Sequence, residues 1–188
     1  MGRFRDTITA WLDYYFGPIL VTLGCLALSL YLHLSQCRAY ITATDERWNN
    51  ILNLHKVFYP FSIRYLTTYP ILWANDLFGL PYRTGFFLMQ YLLALALGLA
   101  LYRFLIKLEF SKFWSNLGVA ICLLSFPVLL AHSEPVFTYD DFWLYLFLTL
   151  CMTAVIDSRF RDAAVWFALG CFAREQMLMY APAYALGL

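Results

Sequence analysis

Residues 16–34 read FGPILVTLGCLALSLYLHL, a run in which only Thr22, Ser29 and His33 interrupt apolar side chains. An α-helix rises about 1.5 Å per residue, so this run is long enough to cross the roughly 30 Å hydrocarbon core of a bilayer. Two arginines precede it, as in a secretory signal, but aromatic residues intervene and no small-x-small cleavage site follows. The sequence therefore predicts a signal anchor that remains in the membrane as a first span.

The composition supports a membrane location for the whole chain. Of its 188 residues, 62% are hydrophobic, 20% aromatic and only 13% charged. A soluble domain of this length needs more polar surface to cover its core, so the excess apolar surface is expected to face membrane lipid. The net charge is +1 and no basic cluster is present, which argues against a nucleic-acid partner. The five cysteines form no C-x-x-C pair and are read as small buried side chains.

Four further apolar runs predict four further spans, at 85–106, 117–131, 142–156 and 163–184. The last of them is interrupted by Arg174 and Glu175. Backbone groups in lipid have no water to bond, so each span has to be a helix. The predicted fold is all-α: a polytopic transmembrane helix bundle forming one membrane domain over 1–188. Since the chain ends at Leu188 within an apolar segment, we expect it to be an incomplete, N-terminal part of a longer protein.

Positive charges in the short loops predict the orientation of the bundle. They fall in the N-terminal arm and in the loops after the second and fourth spans, whereas the loop at 132–141 has none. Because cytoplasmic loops carry the excess of Lys and Arg, the N-terminus is expected in the cytoplasm. The loop at 35–84 then lies outside, although it carries several cations of its own; at nearly fifty residues it approaches the length at which the rule weakens.

The outer loop at 35–84 is predicted to contain two short helices that lie in the membrane interface. The first has an apolar stripe at helical spacing, formed by Trp48, Ile51, Leu52, His55 and Phe58. In the second, Pro70 is expected to open the helix and Gly79 to end it. Both helices are too short to span a bilayer.

Two interpretations apply to Asp45 and Glu46, which open the first of these helices. Acidic side chains suit a helix N-terminus, so the pair is explained in part by capping. Alternatively, Asp45 is a general base: a carboxylate half sheltered by lipid and Trp48 has a tunable basicity and can take a proton from an acceptor hydroxyl.

A second acidic stretch, EPVFTYDDFW at 134–143, is expected on the same side of the membrane. Asp140 and Asp141 either cap the fourth span or orient a sugar in the outer cleft. Oxygen ligands also suit a divalent metal, but the carboxylates of Glu134, Asp140 and Asp141 together with His132 do not fix a coordination geometry. The sequence therefore does not identify a cofactor, and a divalent metal is one option.

Three arginines and one acid are candidates for substrate binding. Arg174 and Glu175 lie inside an apolar run, where charged groups usually face a bundle interior or a wet cavity. Arg174 either forms an interhelical ion pair or holds a phosphate with its guanidinium fork. Arg64 and Arg83 either reach the lipid headgroups or bind the phosphate of a lipid-linked donor.

The order of these features resembles the N-terminal half of polytopic glycosyltransferases of the GT-C superfamily, in particular protein O-mannosyltransferases and lipid A aminoarabinose transferases. The similar stretches cover most of residues 16–188. This chain has one proline, Pro70, where the family often has two, and Arg174 where the family has lysine. The matching stretches are TDERW at 44–48, TTYPILWANDLFGL at 67–80, YDDFWLYLFL at 139–148 and FALGCFAREQMLMYAPA at 167–183.

The resemblance implies transfer of a sugar from a polyprenyl-phosphate donor to a hydroxyl of an acceptor lipid or protein, on the outer face of a bacterial inner membrane. Asp45 is implied as the catalytic base of an inverting reaction. The implied substrate-binding residues are Glu46, Arg64, Arg83, Asp140, Asp141, Arg174 and Glu175. The alternative is a transporter or lipid-handling protein without catalysis, in which Arg174 and Glu175 line a path through the membrane.

Overall fold

A computed structural model describes residues 2–36, 45–57, 65–125 and 141–182. All regular secondary structure in these ranges is helical, which confirms the all-α prediction. The α-helices are α1 (Gly2–Gln36), α2 (Asp45–Val57), α3 (Tyr65–Phe78), α4 (Tyr82–Lys107), α5 (Lys112–Leu123), α6 (Asp141–Ile156) and α7 (Phe160–Ala173), followed by a 3₁₀-helix at Glu175–Tyr180.

Two helices of the described chain are long and apolar enough to cross a membrane, judged by length and composition. They are Tyr14–Leu32 within α1 and Tyr82–Lys107, which is α4, and they contain most of the first predicted span and all of the second. Helix α6 matches the predicted span at 142–156 but is shorter than these two. Helix α5 covers only the first part of the run at 117–131, since residues 126–140 lie outside the described ranges.

The predicted span at 163–184 is not one continuous α-helix. Helix α7 ends at Ala173, Arg174 has an extended backbone with φ −156° and ψ 127°, and a 3₁₀-helix follows. After this break the chain packs back on α7: Met177 is fully buried, and a Cβ atom added to Gly170 would lie 2.9 Å from its Cγ. The interruption at Arg174 that the sequence predicted is therefore the end of an α-helix.

The bundle core forms where α1, α4, α5 and α6 meet. Helices α1 and α4 are antiparallel, since Tyr14 packs edge to face on Tyr102 at 5.5 Å while Thr22 contacts Gly98. Helices α4 and α6 run parallel, because Lys107 at the end of α4 meets Asp157 just after α6. Helix α7 returns antiparallel along α6. The buried side chains of this core are Cys25, Leu26, Leu93, Ala94, Leu97, Tyr102, Val119, Leu123, Phe142 and Leu146.

Helices α2 and α3 pack together on the N-terminal part of α4. Trp48 and Leu52 of α2 are buried with Ile71 of α3 and Phe86 of α4, and the rings of Trp48 and Phe86 lie 4.8 Å apart. The predicted stripe is thus confirmed as one face of a helix over Trp48, Ile51 and Leu52, while Phe58 lies outside the described residues. That face packs against α3 and α4 and therefore does not face the membrane interface.

Helix α3 begins earlier than the sequence indicated. It starts at Tyr65, so Pro70 lies inside the helix instead of opening it. Proline at this position removes one backbone donor, yet the apolar face built around Ile71 is buried against α2 and α4, which stabilises the helix. Gly79 ends the helix as predicted: its φ is +63°, a conformation suited to glycine, and its N–H donates to the Asn75 carbonyl at 2.8 Å.

Candidate functional site

Because of the directions in which the helices run, charged groups lie at both ends of the bundle. One end, here the Asp141 end, contains the first residues of α4 and α6, the last residues of α7, and helices α2 and α3. The other, here the Lys107 end, contains the last residues of α4 and α6 and the first residues of α7. Most of the predicted site residues that the structure describes lie at the Asp141 end.

At the Asp141 end, Arg174 forms an ion pair with Asp141. Both side chains are largely buried, with 13% and 16% of their surface exposed. Asp141 lies in the first turn of α6, where the helix dipole favours a negative charge, and Arg174 occupies the break after α7. The structure thus joins two predicted site residues that are far apart in sequence, and it confirms the interhelical ion pair that the sequence left open.

Helix α2 brings Asp45 and Glu46 to this end. Asp45 is the first residue of α2, one helical turn before Trp48, and Trp48 packs on Phe86 and Phe87 one turn into α4. A turn is about 5.4 Å, so the start of α2 lies beside the start of α4. Glu46 is exposed on α2.

The other predicted residues divide between this end and the undescribed ranges. Arg83 is exposed in the first turn of α4, and Glu175 is half-buried directly after Arg174. Arg64 and Asp140 fall outside the residues that the structure describes.

Three buried donor groups at the Asp141 end escaped prediction from sequence. The indole N–H groups of Trp48 and Trp143 and the hydroxyl of Thr68 are buried without a hydrogen-bond partner among the described residues. Such groups cost free energy unless something satisfies them, so they mark places where a polar ligand or water is favoured. The positions of Trp48, three residues after Asp45, and of Trp143, two residues after Asp141, could have suggested two of them from sequence.

The Lys107 end is held by a chain of ion pairs. Lys107 and Arg159 both donate to Asp157, the latter at 3.1 Å, and Arg159 also donates to Asp162 at 2.8 Å. The hydrogen bond from Lys107 is the main reason that the pKa of Asp157 lies below its ordinary value of 3.8, and the charge of Arg159 acts in the same direction. The loops after α4 and α6 therefore meet at one end of the bundle, as their positive charges suggested.

We expect this ion-pair chain to make stability depend on acid pH. Because the pKa of Asp157 is lowered in the folded state, its ionised carboxylate stabilises the fold at pH values above the ordinary pKa of 3.8. This stabilisation is lost as the pH falls through the folded-state pKa. Asp157→Asn should therefore be less stable than the wild type at pH 6, and the two unfolding temperatures should converge as the pH falls through the lowered pKa of Asp157. Asp76→Asn is the matched control, because Asp76 is exposed on α3 and has no ion pair in the described chain. A difference between wild type and Asp157→Asn that stays constant as the pH is lowered from 6 until both proteins unfold would contradict the prediction.

Among the residues that the structure describes, no group of three or more His, Cys, Asp or Glu side chains is placed to share a metal ion. The oxygen ligands considered from sequence include residues of the 132–140 loop, which lies outside the described ranges.

Comparison of the chain with protein-family models, with curated proteins and with solved structures gave no match.

Proposed function

We propose that this protein is a multi-pass membrane glycosyltransferase that moves a sugar from a polyprenyl-phosphate donor to a hydroxyl of an acceptor lipid or protein. The N-terminus is cytoplasmic and the Asp141 end faces outward, in a bacterial inner membrane. Support comes from the two membrane-length helices and from the resemblance of four stretches to GT-C enzymes. The observation that carries the proposal is the Asp141–Arg174 pair at the same end of the bundle as the start of α2, where Asp45 lies.

In the proposed reaction Asp45 accepts the proton of the acceptor hydroxyl. The acceptor oxygen attacks the anomeric carbon and forms the new glycosidic bond, while the bond from that carbon to the phosphate oxygen breaks with its electron pair on the leaving group. The configuration inverts because displacement occurs in one step. One base suffices, and the products are the glycosylated acceptor and the polyprenyl phosphate.

The main demand of this reaction is to stabilise the charge that develops on the leaving phosphate. A guanidinium fork is well matched to phosphate oxygens, and one well-placed donor contributes up to about 3–4 kcal/mol in comparable oxyanion sites. Arg174 is held in place by Asp141, and Arg83 is the second residue of the neighbouring helix α4. The negative charge of Asp141 cancels most of the long-range attraction between Arg174 and a phosphate. Arg174 would therefore stabilise the phosphate mainly through direct hydrogen bonds.

Asp45→Asn tests the proposal. In membrane vesicles supplied with a panel of polyprenyl-phosphate sugars, we expect transfer by this variant to fall by roughly 10²–10⁴-fold, because the amide cannot accept the hydroxyl proton. The matched control is Asp76→Asn, an exposed acid on α3 of the same outer loop, which should keep wild-type transfer. Full transfer by Asp45→Asn, or no transfer by the wild type from any donor of the panel, would rule out the proposed reaction.

A second candidate function is supported by the break after α7. Interrupted membrane helices with charged side chains at the break are a feature of transport sites, and Arg174 lies at such a break with Asp141 as its partner. A carrier of lipids or small anions would then use Arg174 and Glu175 and would not need Asp45. Loss of uptake or lipid flipping in Arg174→Gln, together with an unaffected Asp45→Asn, would favour this function over sugar transfer.

A further inference from the structure

A cavity opens at the Lys107 end, between the last turns of α4 and α6 and the first turns of α7. It encloses about 330 Å³, at the lower end of the range of ligand pockets, and takes no part in the proposed transfer. Its polar wall consists of Arg103, Thr153, Arg159 and Asp162, with Trp166 beside them. Alanine, leucine and valine side chains form the rest of the lining.

The charges around this cavity do not balance within the described chain. Asp157 accepts hydrogen bonds from Lys107 and Arg159, and Asp162 accepts one from Arg159. Arg103, which is exposed, is the third cation of the group and makes no ion pair or hydrogen bond in the part of the chain that the structure describes. Among the described side chains, one positive charge is therefore left over, and it lies on the wall of the cavity.

Thr153 adds a second constraint on the ligand. Its hydroxyl donates to the Thr149 carbonyl at 2.7 Å, one turn back along α6. The proton is therefore used inside the helix, so the hydroxyl oxygen of this cavity-lining residue is left as an acceptor. A ligand that fits has an anionic group for Arg103 and a hydroxyl donor for Thr153.

We propose that this cavity binds the phosphate of an anionic amphiphile whose headgroup carries a hydroxyl group, with phosphatidylglycerol as the representative membrane lipid. The combination of a cation, an indole and apolar walls at the end of membrane-length helices is the composition by which membrane proteins hold anionic headgroups. The guanidinium of Arg103 binds phosphate oxygens, and the apolar walls contact the first carbons of the acyl chains. This site rests on the proposed membrane location and is independent of sugar transfer.

Native mass spectrometry of the purified protein in detergent tests the site, with phosphatidylglycerol and phosphatidylcholine as probes. We expect phosphatidylglycerol adducts to be retained more strongly than phosphatidylcholine adducts. Arg103→Gln should weaken phosphatidylglycerol binding by roughly tenfold, as for loss of one charge-assisted hydrogen bond. Lys112→Gln is the matched control, since Lys112 is an exposed cation that begins α5 and does not line the cavity. Because Arg103 is exposed, its substitution should leave the unfolding temperature unchanged.

Two further arms identify the ligand. Thr153→Val should lower the preference for phosphatidylglycerol over phosphatidic acid, which lacks the headgroup hydroxyls, while leaving phosphate binding intact. Glycerol 3-phosphate and inorganic phosphate distinguish the sources: if either displaces the lipid at equal concentration, the site takes soluble phosphates and the lipid assignment is overturned. Equal effects of Arg103→Gln and Lys112→Gln would overturn the site itself. Asp45→Asn should bind phosphatidylglycerol like the wild type, which separates this test from that of the transferase.

Discussion

Arg174→Gln is expected to lower the free energy of unfolding by about 3 kcal/mol. Removing one partner of a buried ion pair costs about 3–5 kcal/mol, because the remaining charge is left desolvated and uncompensated. The side chains of Arg174 and Asp141 are 13% and 16% exposed, so we expect a loss of stability at the lower end of this range. Asp141→Asn should cost less, since the new amide can still accept a hydrogen bond from the guanidinium. Thermal and denaturant unfolding in detergent micelles would measure both.

The double variant Asp141→Leu/Arg174→Met separates a charge effect from a packing effect. Replacing both partners by apolar groups removes the stranded charge, so we expect it to recover most of the stability lost in Arg174→Gln. Arg161→Gln is the matched control, because Arg161 is exposed on α7, and it should change stability by less than about 0.5 kcal/mol. Equal losses in Arg174→Gln and Arg161→Gln would show that the pair does not stabilise the bundle.

The same double variant also tests whether the ion pair takes part in substrate binding. If Asp141 and Arg174 only held the bundle together, a stable Asp141→Leu/Arg174→Met protein would keep its activity. If the pair binds substrate, with Arg174 on the leaving phosphate and Asp141 on the sugar, the stable variant should remain inactive. We expect the second result in the assay with polyprenyl-phosphate sugars, because no apolar side chain can donate hydrogen bonds to phosphate.

The parts of the fold that the sequence predicted are those set by local pattern. The apolar runs at 16–34 and 85–106 are long and continuous, so their positions follow from hydropathy alone. The face of α2 followed from the helical spacing of Trp48, Ile51 and Leu52. The start of α3 could not be predicted in this way, because residues 65–69 carry no start signal and Pro70 is itself a common first residue of a helix.

In the candidate site, too, features set by local sequence were predictable and features set by tertiary packing were not. Counting the spans already placed the 132–141 loop and the outer loop on one side, so the gathering of acidic groups at that end was predictable. The pairing of Arg174 with Asp141 was not, because it depends on where α7 ends and on how α7 packs against α6. The helix face that contains Trp48 was expected in the membrane interface, since composition alone does not distinguish a lipid-facing tryptophan from one packed on Phe86.

Gly98→Ala is expected to destabilise the bundle by about 2 kcal/mol, through the contact between the two membrane-length helices. A Cβ atom at Gly98 would overlap the hydroxyl of Thr22 on α1 and lie 2.9 Å from its Cγ2, so the backbones of α1 and α4 would have to move apart. Small residues permit this close approach in membrane helix pairs, and overpacking costs about 1–3 kcal/mol.

Thr22→Ala provides the rescue for Gly98→Ala. The Thr22 hydroxyl is buried without a hydrogen-bond partner in the described ranges, so its removal alone should change stability little. In the double variant the closest remaining contact is 3.2 Å, to the Thr22 Cβ, and most of the lost stability should return. Gly24→Ala is the matched control on α1, since a Cβ there meets nothing within 4 Å and alanine favours a helix. If Gly98→Ala matched Gly24→Ala in unfolding temperature, or if Thr22→Ala gave no rescue, α1 and α4 would not be packed through this contact.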